Sequence, residues 1–171
     1  MATPTISEPR SISSGVIAER RAEAAAVPAV TYWLAILGIY LLQGALWYYG
    51  AEEKIIGGDL KAPAGIEKGF AGSFVDTFPG VGVAWAAIAI AEAILVIGFV
   101  VSLVRGEFLR DRAKPVLLGT LAGSLVVLGA LLFGQAMIGE HDSVASLFSY
   151  GAGTLVMMAG VIYLSPGSRS R

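Results

Sequence analysis

Four long apolar runs leave this chain few options for its fold. They cover residues 28–51, 80–104, 115–139 and 144–164, and each has 21 to 25 residues. A helix rises about 1.5 Å per residue, so about 20 residues cross the ~30 Å hydrocarbon core of a bilayer. The sequence therefore predicts an all-α integral membrane protein, built as a bundle of four transmembrane helices.

The segments between the runs are too short to form a separate soluble domain. Residues 1–27 are polar and predict a disordered segment with a short helical lead-in, residues 52–79 form a long loop, and residues 165–171 form a tail. The chain is 56% hydrophobic and 15% charged, whereas soluble domains are about 45–50% apolar and about 25% charged. This apolar composition makes a lipid bilayer the expected surroundings. The net charge of −1 argues against nucleic acid as a partner.

Several classes of redox and catalytic site are excluded by composition. The chain has no cysteine and a single histidine, His141, so iron–sulfur ligation, thiol catalysis and a bis-histidine haem within one copy are ruled out. We recognise no nucleophile–base pair, phosphate loop or metal-ligand pattern, so catalytic residues stay unknown and no metal is expected. A redox cofactor would have to be a quinone or belong to another subunit.

The basic residues predict the orientation in the membrane. Nine Lys and Arg residues lie in the N-terminal segment, in the loop 105–114 and in the tail, against three in the loop 52–79. Basic residues favour the cytoplasmic side. We therefore expect both termini in the cytoplasm and the long loop outside.

One charged side chain, Glu92, lies within the four runs, at the middle of the second. A carboxylate at this depth costs roughly 2.5–3.5 kcal/mol on insertion scales, so it suggests a function. Three interpretations stay open: a neutral hydrogen-bond donor between helices, a contact for a lipophilic ligand such as a quinone, or part of a proton or ion path. Lys54 is expected at the outer rim, out of reach of Glu92, so Glu92 is expected to be protonated.

Helical spacing predicts which other polar residues face the interior. Tyr40, Gln43 and Trp47 share one face of the first helix, and Thr154 lies at a similar depth on the fourth, about 12–18 Å below the outer end together with Glu92. The predicted ligand site comprises Glu92, Gln43, Tyr40, Trp47 and Thr154, with Lys54 and Gln135 at its outer rim. The GxxxG pair Gly119 and Gly123 serves packing within the bundle or between copies in a homo-oligomer.

Two short motifs resemble the DoxX family of small four-span membrane proteins. They are Gly50-Ala-Glu-Glu-Lys54 at the end of the first run, and Ala89-Ile-Ala-Glu92 with Gly98 in the second. Ala89 departs from the usual glycine, and the outer loop is unusually long. The resemblance carries over only to Lys54 and Glu92.

The resemblance implies a prokaryotic cytoplasmic membrane and a role beside a redox enzyme. We expect a non-catalytic subunit or scaffold of a membrane redox complex. The alternatives are a quinone-binding oxidoreductase component of the thiosulfate:quinone type, with Glu92 in the ligand site, and a proton-coupled carrier. The carrier is disfavoured because the spans lack the paired broken helices of inverted-repeat transporters.

Overall fold

A computed structural model describes residues 27–165, and this part of the chain is helical with connecting turns and contains no strand. The predicted disorder of the N-terminal segment falls almost wholly on residues 1–26, outside the described residues, as does the tail from residue 166. The helices are α1 (Ala29–Glu52), α2 (Ala64–Phe70), α3 (Phe74–Thr77), α4 (Val81–Val104), α5 (Pro115–Met137) and α6 (His141–Leu164).

Four of these helices are long and apolar enough to cross a membrane: α1, α4, α5 and α6. The predicted all-α fold is therefore confirmed, and the four long apolar helices indicate a multi-pass membrane protein. The first span is longer than its apolar run, because α1 continues through a π-helical turn, Glu53–Gly57. The fourth begins three residues earlier than predicted, at His141.

The spans form an up-and-down bundle that is open on one side. α1 packs on α4, α4 on α5, and α5 on α6, whereas α1 and α6 touch each other only lightly. Short connections between α4, α5 and α6 favour these antiparallel neighbours. The weakly closed side between α1 and α6 leaves a gap in the wall of the bundle.

Each span buries one stripe and exposes the rest, as expected for helices surrounded by lipid. The buried apolar core is contributed by all four spans and includes Ile39, Trp47, Leu95, Phe99, Leu121, Leu128 and Val161. Large aliphatic side chains such as Leu34, Leu41, Ile94 and Val126 are more than half exposed. Such apolar side chains are stable in contact with lipid tails, so we expect these helix faces to contact the bilayer.

The loop between α1 and α4, named the outer loop after its predicted side of the membrane, packs on the C-terminal end of α5. It forms two short helices, α2 and α3. Phe70 packs beside Gly134, and the Phe74 ring lies 6.4 Å from that of Phe133. Phe78 is left 79% exposed.

The loop between α4 and α5, named the inner loop after its predicted side of the membrane, is held by a buried carboxylate. Both oxygens of Glu107 accept hydrogen bonds from the first turn of α5, from Val116 N at 3.2 Å and Leu117 N at 2.8 Å. Free amides at a helix start need acceptors. Ser102 Oγ donates to the same carboxylate at 3.3 Å, so Glu107 ties the end of α4 to the start of α5.

Lys114 is the buried cation of this inner loop. Its Nζ donates to the carbonyls of Leu109 at 2.8 Å and Arg112 at 3.0 Å, and it lies 5.5 Å from the centre of the Tyr32 ring. Burial lowers the pKa of Lys114 below its ordinary value, opposed by the nearby carboxylates of Glu107 and Asp111.

Candidate functional site

Glu92 is paired with Lys54 in the interior of the protein. Lys54 Nζ lies 3.1 Å from Glu92 Oε1, and both side chains are almost fully buried. Lys54 also donates to the Gly50 carbonyl at 3.2 Å, and its Nζ is 5.2 Å from the centre of the Trp85 ring. The expectation that Lys54 cannot reach Glu92 is therefore wrong, and so is the premise that Glu92 lacks a cationic partner.

Helix direction explains why the depth estimate failed. Side chains lean towards the N-terminus of their own helix. α1 and α4 run in opposite directions, so Lys54 leans inward along α1 while Glu92 leans outward along α4. Lys54 also belongs to the helix, because the π-helical turn extends α1 past the end of its apolar run. π-helical turns are often found at functional sites.

Gly50 leaves the space that the Glu92 carboxylate occupies. A Cβ at residue 50 would lie 3.1 Å from Glu92 Oε2 and 3.2 Å from Glu92 Cδ. The residues that carry the family resemblance, Gly50, Lys54 and Glu92, are thus in direct contact.

Two buried polar atoms at the Lys54–Glu92 pair have no hydrogen-bond partner. They are Glu92 Oε2, an acceptor, and Trp85 Nε1, a donor. Buried polar atoms are usually satisfied, so orphaned atoms point to a bound water or ligand. A ligand that both donates and accepts hydrogen bonds would match these two atoms.

A pocket of about 440 Å³ opens at the outer end of the bundle. The predicted rim residues, Lys54 and Gln135, both line it, together with Trp85 and Asp142. Glu92 is not among the lining residues. A solute in this outer pocket would therefore meet Glu92 through Lys54.

Gln43, Thr154 and Trp47 form a second polar group, deeper in the bundle. Gln43 Nε2 donates to Thr154 Oγ1 at 2.9 Å and to Met157 Sδ at 3.6 Å, and Gln43 Oε1 accepts from Trp47 Nε1 at 3.2 Å. All three predicted residues are buried. The sequence placed them correctly on facing stripes of α1 and α6.

A lateral cleft between α1 and α6 reaches this group from the side of the bundle. The cleft has a volume of about 510 Å³ and Gln43 forms part of its wall. The other walls are mainly apolar and are formed by Leu42, Ala45, Leu46, Tyr49, Ser149, Tyr150, Gly153 and Met157. Tyr150 is 51% exposed, and its hydroxyl makes no hydrogen bond within residues 27–165.

Tyr40 belongs to a third group, nearer the inner surface. Its hydroxyl lies 2.6 Å from Ser102 Oγ, which in turn donates to Glu107. The five residues predicted as one ligand site are thus divided among three groups. Glu92 belongs to the first, Gln43, Trp47 and Thr154 belong to the second, and Tyr40 belongs to the third. Depth along a helix does not say which neighbour a side chain meets.

Sequence reasoning missed Ser102 and Glu107. A carboxylate eight residues before Pro115 is too distant to be recognised as a cap, because the intervening loop must fold back to bring it to α5. Ser102 carried no signal beyond lying in an apolar run.

Residues 27–165 contain no cluster of three or more side chains able to hold a metal ion. Comparison with protein-family models, curated proteins and solved structures finds no match to this chain.

Proposed function

We propose that this chain is a DoxX-like, non-catalytic subunit of a redox complex in a prokaryotic cytoplasmic membrane, with both termini inside. Its role is to hold a quinone in the lateral cleft for a partner subunit that supplies the electrons. The DoxX resemblance and the distribution of basic residues support the setting, and the cleft supports the ligand.

The observation that carries the proposal is the position of Gln43. A buried amide lines an otherwise largely apolar cleft that opens sideways, towards the lipid. Quinones are dissolved in the bilayer and could enter from that side. Binding pockets of about 300–1,000 Å³ with few polar groups are typical of small-molecule sites.

The chemistry of the cleft matches the carbonyl groups of a quinone. One Gln43 N–H points at Met157 Sδ, and a thioether is a weak acceptor. A carbonyl oxygen would accept this N–H more strongly. The Tyr150 hydroxyl is a second donor in the cleft without a partner in the described chain.

A second candidate is an oxidoreductase component with the ligand in the outer pocket, where Lys54 contacts the ligand and Glu92 acts through Lys54. The orphaned Trp85 N–H and the Lys54 ammonium favour this alternative. The two candidates differ in the residues on which binding depends, so one set of variants separates them.

The test is the binding of a short-chain ubiquinone to the full chain in lipid nanodiscs, followed by quenching of tryptophan fluorescence. We expect Gln43→Leu to weaken binding about tenfold, since a net hydrogen bond contributes about 0.5–1.5 kcal/mol. Tyr150→Phe removes a single exposed hydroxyl and should weaken binding several-fold without disturbing the fold.

Ser146→Ala and Trp85→Phe serve as matched controls, because both residues line the outer pocket and neither lines the cleft. Unchanged affinity in both Gln43→Leu and Tyr150→Phe would contradict the lateral-cleft proposal. Loss of binding in Trp85→Phe with normal binding in Tyr150→Phe would favour the outer pocket.

A further inference from the structure

A third pocket lies near the inner end of α1, away from both sites described above. It has a volume of about 400 Å³ and is lined by Trp33, Leu37, Tyr40, Leu41, Leu103 and Phe108. Two walls are aromatic, with the rings of Trp33 and Phe108 6.1 Å apart and tilted by 50°. A flat ring between such walls would gain stacking contacts.

The hydrogen bonds behind this inner pocket have a fixed direction. The Glu107 carboxylate accepts hydrogen bonds from two backbone amides and from Ser102 Oγ, and it forms an ion pair with Arg105 Nε at 3.4 Å. In all of these hydrogen bonds Glu107 is the acceptor. Ser102 has a single hydroxyl proton, and the Glu107 carboxylate oxygen beside it accepts. Both contacts are satisfied together only when Ser102 donates to Glu107 and Tyr40 donates to Ser102 across their 2.6 Å contact.

This direction determines what the Tyr40 oxygen can offer a ligand. Its proton is committed to Ser102, so the lone pair that remains can only accept a hydrogen bond. A ligand hydroxyl satisfies it, whereas a carbonyl oxygen placed there would face another oxygen without a proton between them. The lateral cleft has the opposite character, since Gln43 and Tyr150 offer donors.

We propose that the inner pocket is a second lipophilic site that prefers hydroquinones over quinones. The preference comes from Tyr40, held as an acceptor by the Ser102–Glu107 pair. The ligand class rests on the proposed function, whereas the preference for a hydroxyl follows from the hydrogen bonds alone.

The experiment compares the binding of duroquinol and duroquinone to the full chain in nanodiscs, without oxygen and with excess reductant for the quinol. It is made in the Gln43→Leu background, so that the lateral cleft contributes little. We expect duroquinol to bind about tenfold more tightly than duroquinone, and Tyr40→Phe to abolish this difference.

Ser102→Ala gives the sharper result. Without Ser102 the Tyr40 proton is free, so Tyr40 can donate to a carbonyl, and we expect duroquinone affinity to rise several-fold. Ser124→Ala is the matched control, because Ser124 is also buried and bonds only to a backbone carbonyl of its own helix. It should leave both affinities unchanged.

Equal binding of the two probes, or a preference that survives Tyr40→Phe, would overturn the proposal. So would duroquinone affinity unchanged in a folded Ser102→Ala variant. All of these comparisons are made with Gln43 already replaced, so failure here is distinguishable from failure of the lateral-cleft proposal. Binding of neither probe here, with ubiquinone still bound in the cleft of the unmodified chain, would overturn the inner site alone.

Discussion

At the scale of single residues, the burial of Lys54 and Glu92 is costly. Two charges taken out of water must compensate each other, and removing one partner leaves the other unpaired. The pair is bonded at 3.1 Å, and Lys54 has the Gly50 carbonyl as a second acceptor. Its stability therefore depends on both partners together.

Lys54→Met and Glu92→Leu should each lower the free energy of unfolding by about 3–5 kcal/mol, because each strands a buried charge. The double variant Lys54→Met/Glu92→Leu should recover most of that loss, since apolar replacements of similar volume are often neutral. Unfolding in mixed detergent, followed by circular dichroism, measures all three. Additive losses in the double variant would show that the two residues do not interact.

Gly50→Ala tests the close approach of α1 to the Glu92 carboxylate. The added methyl would lie 3.1 Å from Glu92 Oε2, and the bond to Lys54 prevents the carboxylate from moving freely. We expect a loss of about 1–3 kcal/mol, as for other overpacked sites. Gly44→Ala is the control on the same helix, with open space at its Cβ, and should be neutral or stabilising. Equal effects would mean that the carboxylate adjusts.

At the scale of elements, the inner loop between α4 and α5 is organised by buried charged groups that bond to backbone amides and carbonyls. Glu107 accepts the amides that start α5, and Lys114, the residue before Pro115, donates to two loop carbonyls. The loop therefore does more than connect two helices, because it fixes how α4 and α5 meet. A basic loop predicted to mark the cytoplasmic side also has a defined internal structure.

The lowered pKa of Lys114 predicts how stability depends on pH. Between the lowered pKa of the folded state and the ordinary value of 10.5, the unfolded chain binds more protons than the folded one. The contribution of Lys114 to stability should therefore rise with pH across this window. The measurement is the free energy of unfolding of the parent chain minus that of Lys114→Met, from neutral pH to pH 10.5. A difference that falls as pH rises would contradict it.

At the scale of the whole molecule, the bundle is closed on three sides and open between α1 and α6. Both the lateral cleft and the proposed entry of a quinone depend on this open side. The absence of cysteine in the chain makes its orientation easy to test.

Single cysteines at Ala71 and Ser170 should report opposite sides of the membrane. With nine basic residues against three, the tail is expected inside and the loop outside. A membrane-impermeant maleimide should label Ala71→Cys in intact cells, and Ser170→Cys only after permeabilisation. The cysteine-free parent is the background control, and the reverse labelling pattern would place both termini outside.

The sequence by itself determined the properties that depend on local pattern. Run length and hydropathy predicted the four spans, and helical periodicity placed Gln43, Trp47, Thr154 and Glu92 on buried faces, because lipid penalises polar groups on any other face. Only the tertiary structure decided which of these residues meet. Lys54 and Glu92 lie on antiparallel helices and lean towards each other, so they form an ion pair although their estimated depths differed. The packing of α1 against different neighbours divided one predicted site into three groups, since contacts between helices depend on their relative position, which no single run encodes.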